Sequence, residues 1–566
     1  MTEQQTLSAG HHIVKTLENF GVKRVYAVPG ESYLDVLDGL HDSTIETVVC
    51  RQEGGAGFMA LAEGRLTGVP GVAMVTRGPG AANAMIAIHT AWQDATPLVL
   101  FVGLIPVADR EREAFQEFSL AGWFGTTAKR VITIDDPERA GELTAEALRI
   151  AAAGRPGPVV VGLPEDILVK QVTNPRAITP ARFGGRAGGG SVSSEQLGEL
   201  AQLLGEATRP AFIVGGDGWH TGCGEQLASF AELAGIPVFQ DWRAYDAVPH
   251  QSPAYAGWLG YGRADAVANN YAAADLHIFI GCGRTDVLSD GYTLGLDTKT
   301  VTVTGDSAAL GHSGRADLQL RAKPAAFVAA LTQLDAAELT GNRDSEWLKS
   351  CRADQERFAA HRSDASVNAA APATPSSNEA SGVDLGDVFA ELDRQLAGEA
   401  TLTFGAGNAT IWAHRFIKHN RAASLVGARN GAMGLAVPAA VAASLITPDR
   451  HCVAVCGDGD YLMNGQEIAT AFAHGAKPVI IVIDNGIYGT IVQHQEKHYP
   501  GRPSGTRMTN PDFAEIMRAH GGHGESVNQT AEFAGALERC LAAAVPALIH
   551  IKISPEVMPP ASGEIA

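Results

Sequence analysis

Short apolar runs, many of them β-branched, recur along the chain. Most are followed within a few positions by glycine or proline and then by apolar residues at helical spacing. In the first third these runs are Val22–Val28, Ile45–Val49, Gly71–Thr76, Pro97–Gly103 and Pro158–Gly162; in the middle they are Pro210–Val214 and Leu276–Gly281. Cys452–Cys456, Pro478–Ile483 and Ala547–Ile553 complete the series. Near-continuous apolar strands alternating with helices predict parallel sheets covered on both faces. The predicted fold class is therefore α/β. Two stretches break the pattern: 173–193 carries Pro175 and Pro180 and then turns glycine-rich, and 365–382 is rich in Ala, Pro, Ser and Asn. Read as linkers, they leave doubly wound domains at 1–172, 194–337 and 383–566. The length, 566 residues, agrees with that division, since domains average roughly 150 residues and a single core does not grow so large.

Composition changes this picture only by exclusion. Apolar residues make up 45% and charged residues 19%, which is globular rather than disordered. The formal charge of −19, with no Lys/Arg run, argues against a nucleic-acid surface. It leaves room for an anionic ligand held by a local cradle of backbone N–H groups. The seven cysteines form no Cys-x-x-Cys pair, and Cys452 and Cys456 read as small core residues. No basic segment followed by an apolar stretch opens the chain, and no run of about 18 apolar residues occurs. The expectation is a soluble protein of a reducing compartment, the cytoplasm. A nicotinamide enzyme is disfavoured, because no Gly-x-Gly-x-x-Gly is followed by an acidic residue about twenty positions on.

The candidate chemistry lies at strand ends. Gly457-Asp458-Gly459 follows the run Cys452–Cys456, and the next run ends in Asp484-Asn485-Gly486. Glycines let backbone N–H groups approach a diphosphate, while Asp458 and Asn485 offer hard oxygens suited to Mg²⁺. Alone, Gly-Asp-Gly is an ordinary turn; the paired Asp-Asn-Gly at the following strand end makes the two read together. A second candidate is Glu53 in Cys50-Arg-Gln-Glu-Gly-Gly-Ala56, a carboxylate just past a strand, which by itself also reads as a surface turn.

Gly457-Asp458-Gly459 with Asp484-Asn485 after 24 intervening residues (460 to 483) resembles the thiamin-diphosphate motif. Together with Thr76–Asn83, Ala114–Glu117, Gly154–Asp166, Asn430–Gly434 and Met463–Glu467, it makes the whole chain similar to thiamin-diphosphate enzymes, most of all to acetolactate synthase large subunits. The resemblance implies pyrimidine-binding, middle and diphosphate-binding domains, in that order. It implies Mg²⁺ ligation by Asp458, Asn485 and the main-chain carbonyl of Ile487. It assigns cofactor contacts to Gly407, Asn408, Ala409, Gly457, Gly459, Asp460, Gly489 and Thr490 around the diphosphate, and to Gly431 and Met433 beside the pyrimidine and the bent cofactor. Glu53 would hydrogen-bond the aminopyrimidine and assist removal of the C2 proton, and Phe115 and Gln116 would border the reacting centre. Because Glu53 and Asp458 fall in different domains, the family pattern puts the cofactor at a subunit interface, in a homodimer or homotetramer.

The implied activity is decarboxylation of a 2-oxoacid, pyruvate first, with ligation to a second carbonyl. Several residues depart from the synthase pattern. Asp484 replaces the first Asn of the motif, Arg77 replaces a small residue, Glu31 stands where many synthases have Gly, and His494 stands where they carry Trp. Two alternatives follow from these departures: a non-ligating decarboxylase or aldehyde lyase of the same superfamily, and a cofactor-binding homologue without turnover. The His-His pair of pyruvate-type decarboxylases is not found near Phe115-Gln116. The middle domain resembles a flavin-binding one in layout, which keeps FAD as a second cofactor; Arg284 there either contacts a flavin phosphate or caps a turn.

Overall fold

A computed structural model of the chain describes residues 7–173, 178, 190–216, 218–219, 222–306, 314–361 and 382–559. Most of the two expected linkers, 173–193 and 365–382, and Asp217 of the Gly-rich segment Val214–Gly218 lie outside the described residues.

Each of three α/β domains is built on a sheet of six parallel strands. The first runs in spatial order Glu46–Val49, Arg24–Ala27, Gly71–Val75, Leu98–Leu104, Pro158–Pro164, Arg130–Thr133. The second runs Tyr255–Leu259, Val238–Asp241, Pro210–Val214, Leu276–Ile280, Lys299–Thr304, Leu318–Arg321. The third runs Leu425–Gly427, Thr401–Phe404, Cys452–Gly457, Val479–Asp484, Ala547–Lys552, His523–Val527. Numbered by sequence within each sheet, the first and third share the order 2-1-3-4-6-5, whereas the second is 3-2-1-4-5-6. The central strands are buried along their whole length, as in Leu98–Leu104 and Val479–Asp484, which is why they read as unbroken apolar runs. Edge strands such as His523–Val527 and Leu318–Arg321 admit polar residues instead.

The residues fall into two compact units. One is formed by residues from Met1–Ala187 together with Val437–Ile446 and Asn464–Ala476; the other contains the remaining described residues. In the first unit, a short antiparallel pairing of Leu7–Ser8 with Gln171–Val172 joins the two ends of the first segment. In the second unit, the middle and third sheets share one hydrophobic core that runs from Ala211 through Trp258, Phe358 and Phe404 to Ile551. All seven cysteines are free, and Cys452 and Cys456 are core residues as expected. No helix among the described residues is long and apolar enough to cross a membrane.

Candidate active site

In an open parallel sheet, ligands settle beyond the carboxyl ends of the strands, where the strand order reverses. In the third sheet that place lies between Thr401–Phe404 and Cys452–Gly457. The first of these strands leads into Gly405-Ala-Gly407, and the helix Asn408–Phe416 begins directly after. Gly407 caps this helix with φ +104°, a conformation that side-chain-bearing residues rarely adopt. The second strand passes straight into the helix Asp458–Asn464, which puts Asp458 at its first position. The sequence suggests one helix over Asn464–Phe472. The structure instead bends at Asn464 (φ −140°), passes through a single tight turn at Gly465–Glu467 and resumes at Ile468–His474.

Asp458 is 3% exposed. Its Oδ1 accepts the Gly459 N–H at 2.9 Å, and its Oδ2 accepts the Gly486 N–H at 2.9 Å and an Asn510 side-chain N–H at 2.6 Å. Burial pushes its pKa up to about 6, with the nearby Asp484 adding to the rise. The same Asn510 nitrogen donates to Asp484 Oδ1 at 2.7 Å, so two carboxylates share one neutral amide, an arrangement that suits a cation. Asn485 Oδ1 lies 3.1 Å from the Ile487 N–H, and the Ile487 carbonyl accepts the Gly489 N–H at 3.0 Å. Among the described residues no group of three or more His, Cys, Asp or Glu could hold a metal ion. A site here must therefore draw on amide and carbonyl oxygens, a hard-donor set that fits Mg²⁺. Thr490 Oγ1 donates to Asn408 Oδ1 at 3.2 Å, which links the start of the helix Gly489–His498 to the 405–408 turn. Ala409 is buried at the start of its helix, Gly431 (φ +69°) is exposed, and Met433 is half-buried.

Asp460, also assigned to the cofactor by resemblance, acts in this structure as a clasp. Its Oδ1 accepts the Ala406 N–H at 3.1 Å and the Gly434 N–H at 3.0 Å, binding together the 405–408 turn and the loop that carries Gly431 and Met433. Burial raises its pKa to about 6. Arg243, beyond the end of the middle-sheet strand Val238–Asp241, reinforces the same two loops by donating to the Ala428 carbonyl at 3.1 Å and the Gly405 carbonyl at 3.2 Å. Asp241, wholly buried, pairs with Arg429. Nothing in the sequence alone links Arg243 to loops more than 160 positions away.

Glu53 opens the helix Glu53–Thr67, in the other compact unit. Its Oε2 accepts an Asn83 side-chain N–H at 2.9 Å. The turn before it is held from two sides. Gln52 caps the helix by accepting the Gly55 N–H at 3.0 Å. Glu467, wholly buried, accepts the Arg51 and Gln52 N–H groups at 3.0 Å each and the Thr470 hydroxyl at 2.6 Å. A Cβ at Gly55 would lie 2.6 Å from Glu467 Oε1, so the glycine leaves room for this carboxylate. Desolvation raises the Glu467 pKa. The sequence offers Glu467 as the end of the family-like segment Met463–Glu467, with no role assigned to it, and gives no hint that Asn83 meets Glu53.

Phe115 and Gln116 lie on a loop whose carboxylate hub is Glu117, which accepts the Glu111 N–H at 2.6 Å and the Ala114 N–H at 3.0 Å. These bonds, that from Glu111 foremost, hold Glu117 below the usual carboxylate range. Glu111, Glu113 and Gln116 all have positive φ, a concentration of backbone strain typical of functional loops. The Gln116 carbonyl accepts the Gly78 N–H at 3.3 Å, and Phe115 is 75% exposed. Arg77 pairs with Glu165 at 2.5 Å and Glu31 at 3.4 Å, so two of the departures from the synthase pattern compensate each other in charge. Arg284 is 2% exposed and turned inward, donating to Thr300 Oγ1 at 2.8 Å with its guanidinium 5.5 Å from the Phe279 ring centre.

Three thiamine pyrophosphate enzyme domain families match the chain: the N-terminal TPP-binding domain over residues 7–122, the central domain over 197–331 and the C-terminal TPP-binding domain over 405–551. The chain is 30% identical to an acetolactate synthase of Mycobacterium avium, over 91% of this chain and 82% of that protein. It is 29% identical to a probable acetolactate synthase large subunit of Methanocaldococcus jannaschii, over 97% and 92%. It is 26% identical to the acetolactate synthase isozyme 2 large subunit of Escherichia coli, over 97% and 96%.

Proposed function

The chain belongs to the thiamine pyrophosphate enzyme family and is acetolactate synthase-like; from that premise we propose that it decarboxylates a 2-oxoacid, pyruvate first, and joins the remaining fragment to a second carbonyl. The observation that carries this reading is the hard-oxygen nest of Asp458, Asn485 and Ile487 at the reversal of the third sheet, beside the open turn Gly405–Asn408. Bound thiamin diphosphate supplies the electron sink for the carbanion equivalent left when CO₂ departs. Asp458, Asn485 and the Ile487 carbonyl would hold Mg²⁺. Gly407, Asn408, Ala409, Gly457, Gly459, Gly489 and Thr490 would surround the diphosphate, with Asp460 fixing the turns; Gly431 and Met433 would flank the pyrimidine. Glu53 would hold and move a proton at the pyrimidine nitrogen. Phe115 and Gln116 would border the reacting carbonyl and keep water from it.

This reading carries the domain division at 1–172, 194–337 and 383–566, a homodimer or homotetramer with cofactor sites between subunits, and a cytoplasmic location. His494, on the exposed face of the helix Gly489–His498, stands where synthases carry the Trp that favours 2-oxobutyrate as second substrate, so it sets this chain apart from a biosynthetic acetohydroxyacid synthase. The acceptor pocket is what would separate ligation from the non-ligating alternative. The test is incubation of the protein with pyruvate, Mg²⁺ and thiamin diphosphate, followed by product identification. Acetolactate supports ligation and acetaldehyde supports the non-ligating reading. Cofactor binding with neither product across a panel of 2-oxoacids would leave a binding homologue.

A further inference from the structure

Behind the Asp458 nest runs a buried string of polar groups that neither the motif nor the proposed reaction accounts for. It starts at His550, in the strand Ala547–Lys552, whose side chain is wholly buried. His550 Nδ1 faces the Phe513 N–H at 3.3 Å, with Asp512 Oδ1 3.5 Å away. With Nδ1 facing that N–H, Nε2 is left to donate to Asp484 Oδ2 at 2.9 Å. Asp484 Oδ1 accepts the Gly486 N–H at 3.1 Å and one Asn510 side-chain N–H at 2.7 Å. The same Asn510 nitrogen donates to Asp458 Oδ2 at 2.6 Å, and the Gly486 N–H also reaches that oxygen at 2.9 Å. The string is continuous through these donors and acceptors, while the Asn510 side-chain oxygen, buried, has no hydrogen-bond partner among the described residues. The string ends on the carboxylate that would bind the metal.

We propose that His550, Asp484 and Asn510 are positioning residues that orient the Asp458 carboxylate for a small divalent cation, with His550 acting through Asp484 and Asn510. The inference rests on the metal-dependent cofactor reading above. Its physical content is rotational. Asp458 has two oxygens and one free torsion, and the Asn510 and Gly486 N–H groups hold Oδ2 so that the carboxylate plane is set before a cation arrives. Asp484 carries a charge where the resembling motif has a neutral amide. His550 satisfies that extra oxygen from below, which keeps Asp484 from turning into the nest and competing with Asp458. Outer partners of this kind typically govern about 10–100-fold in metal affinity. Mg²⁺ demands near-ideal octahedral geometry while Ca²⁺ tolerates irregular coordination, so a loosened Asp458 should cost Mg²⁺ more than Ca²⁺.

The experiment titrates the full-length chain, stripped of divalent ions, with MgCl₂ or CaCl₂ at saturating thiamin diphosphate, reading tryptophan fluorescence and the thermal midpoint. His550→Ala and Asn510→Ala are each expected to weaken Mg²⁺ binding by about 10–100-fold and Ca²⁺ binding by less. His550→Gln should recover most of the loss, since its amide can donate to Asp484 and accept from Phe513. Asn510→Ala lies on a half-exposed loop and keeps the test alive should His550→Ala fail to fold. Mg²⁺ affinity within twofold of the parent in the alanine variants that fold would overturn the proposal. So would equal losses for the two metals, which would mark a merely structural role. If the parent itself bound neither metal in the presence of thiamin diphosphate, the proposed function would fall and this inference with it.

Discussion

The first and third sheets have the same strand order, yet they end in different chemistry. In both, a buried carboxylate from a short helical segment accepts backbone N–H groups of a functional turn: Glu467 holds Arg51 and Gln52, and Asp460 holds Ala406 and Gly434. In both, burial raises the clasp's pKa, which a carboxylate tolerates because several N–H donors replace its water. What each clasp leaves at the strand end differs. The first leaves one half-buried carboxylate, Glu53, hydrogen-bonded to the neutral side chain of Asn83, which suits proton exchange with a ligand. The third leaves Asp458 and Asp484 together with backbone amides, which suits a cation bridging to an anion. The scaffold sets where the chemistry can be, and the short turns decide what it is.

The largest expected effect is at the third sheet. Asp458→Ala should weaken Mg²⁺-dependent binding of thiamin diphosphate by more than about 100-fold, beyond what outer partners cost. Isothermal titration at fixed Mg²⁺ checks it, and parent-like affinity would show the two strand ends to be less different than drawn here. Glu53→Gln should do the reverse: the cofactor still binds, while hydrogen–deuterium exchange at its C2, read by NMR after acid quench, slows by about 10²–10⁴-fold. Exchange at the parental rate would remove proton transfer from the first sheet's account.

The clasp itself can be separated from its charge. Glu467→Ala strands buried N–H groups, at about 1–3 kcal/mol for each such group, and should lower both thermal stability and C2 exchange. Glu467→Gln should stay near the parent. Its oxygen can keep the Arg51 and Gln52 amides, and its –NH₂ can face the Thr470 oxygen once that hydroxyl turns wholly to the Val49 carbonyl, 3.3 Å away. A glutamine variant as damaged as the alanine one would mean that charge, not geometry, matters at this turn.

The smallest effect sharpens the comparison by testing scaffold rather than site. His414, buried beneath the third sheet, has no partner among the described residues for either ring nitrogen, and burial holds its pKa well below 6.5. A depressed histidine contributes stability that is full above the unfolded value and is lost as pH falls below it. His414→Phe should therefore raise the thermal midpoint by an amount that grows from pH 7 to pH 5, with cofactor affinity unchanged. A constant difference across that range would show that protonation of His414 plays no part.

Where strands are buried on both faces, the sequence is explicit. All ten apolar runs singled out became strands; most are central ones with helices on each side and few polar positions to interrupt them, while Ile45–Val49 is a partly exposed edge strand. The strands it hid are mostly edge or second-from-edge ones, such as Tyr255–Leu259, Lys299–Thr304, Leu425–Gly427 and His523–Val527, whose short runs mix in polar residues or glycine. The chemistry-bearing turns were legible for a related reason: Gly-Asp-Gly and Asp-Asn-Gly are local, since a glycine turn and the carboxylate it presents are neighbours in the chain. The partners that hold those turns were not. Asn510 reaches Asp458 across 52 positions, His550 reaches Asp484 across 66, and Glu467 reaches Gln52 across 415. Hydrogen bonds between distant segments leave no periodicity behind, because a single side chain at the right place satisfies them. Strand runs and turn residues follow from the sequence through local conformation and burial. Which carboxylate became a clasp and which was left to face a ligand was decided only when the tertiary structure brought the backbone amides to them.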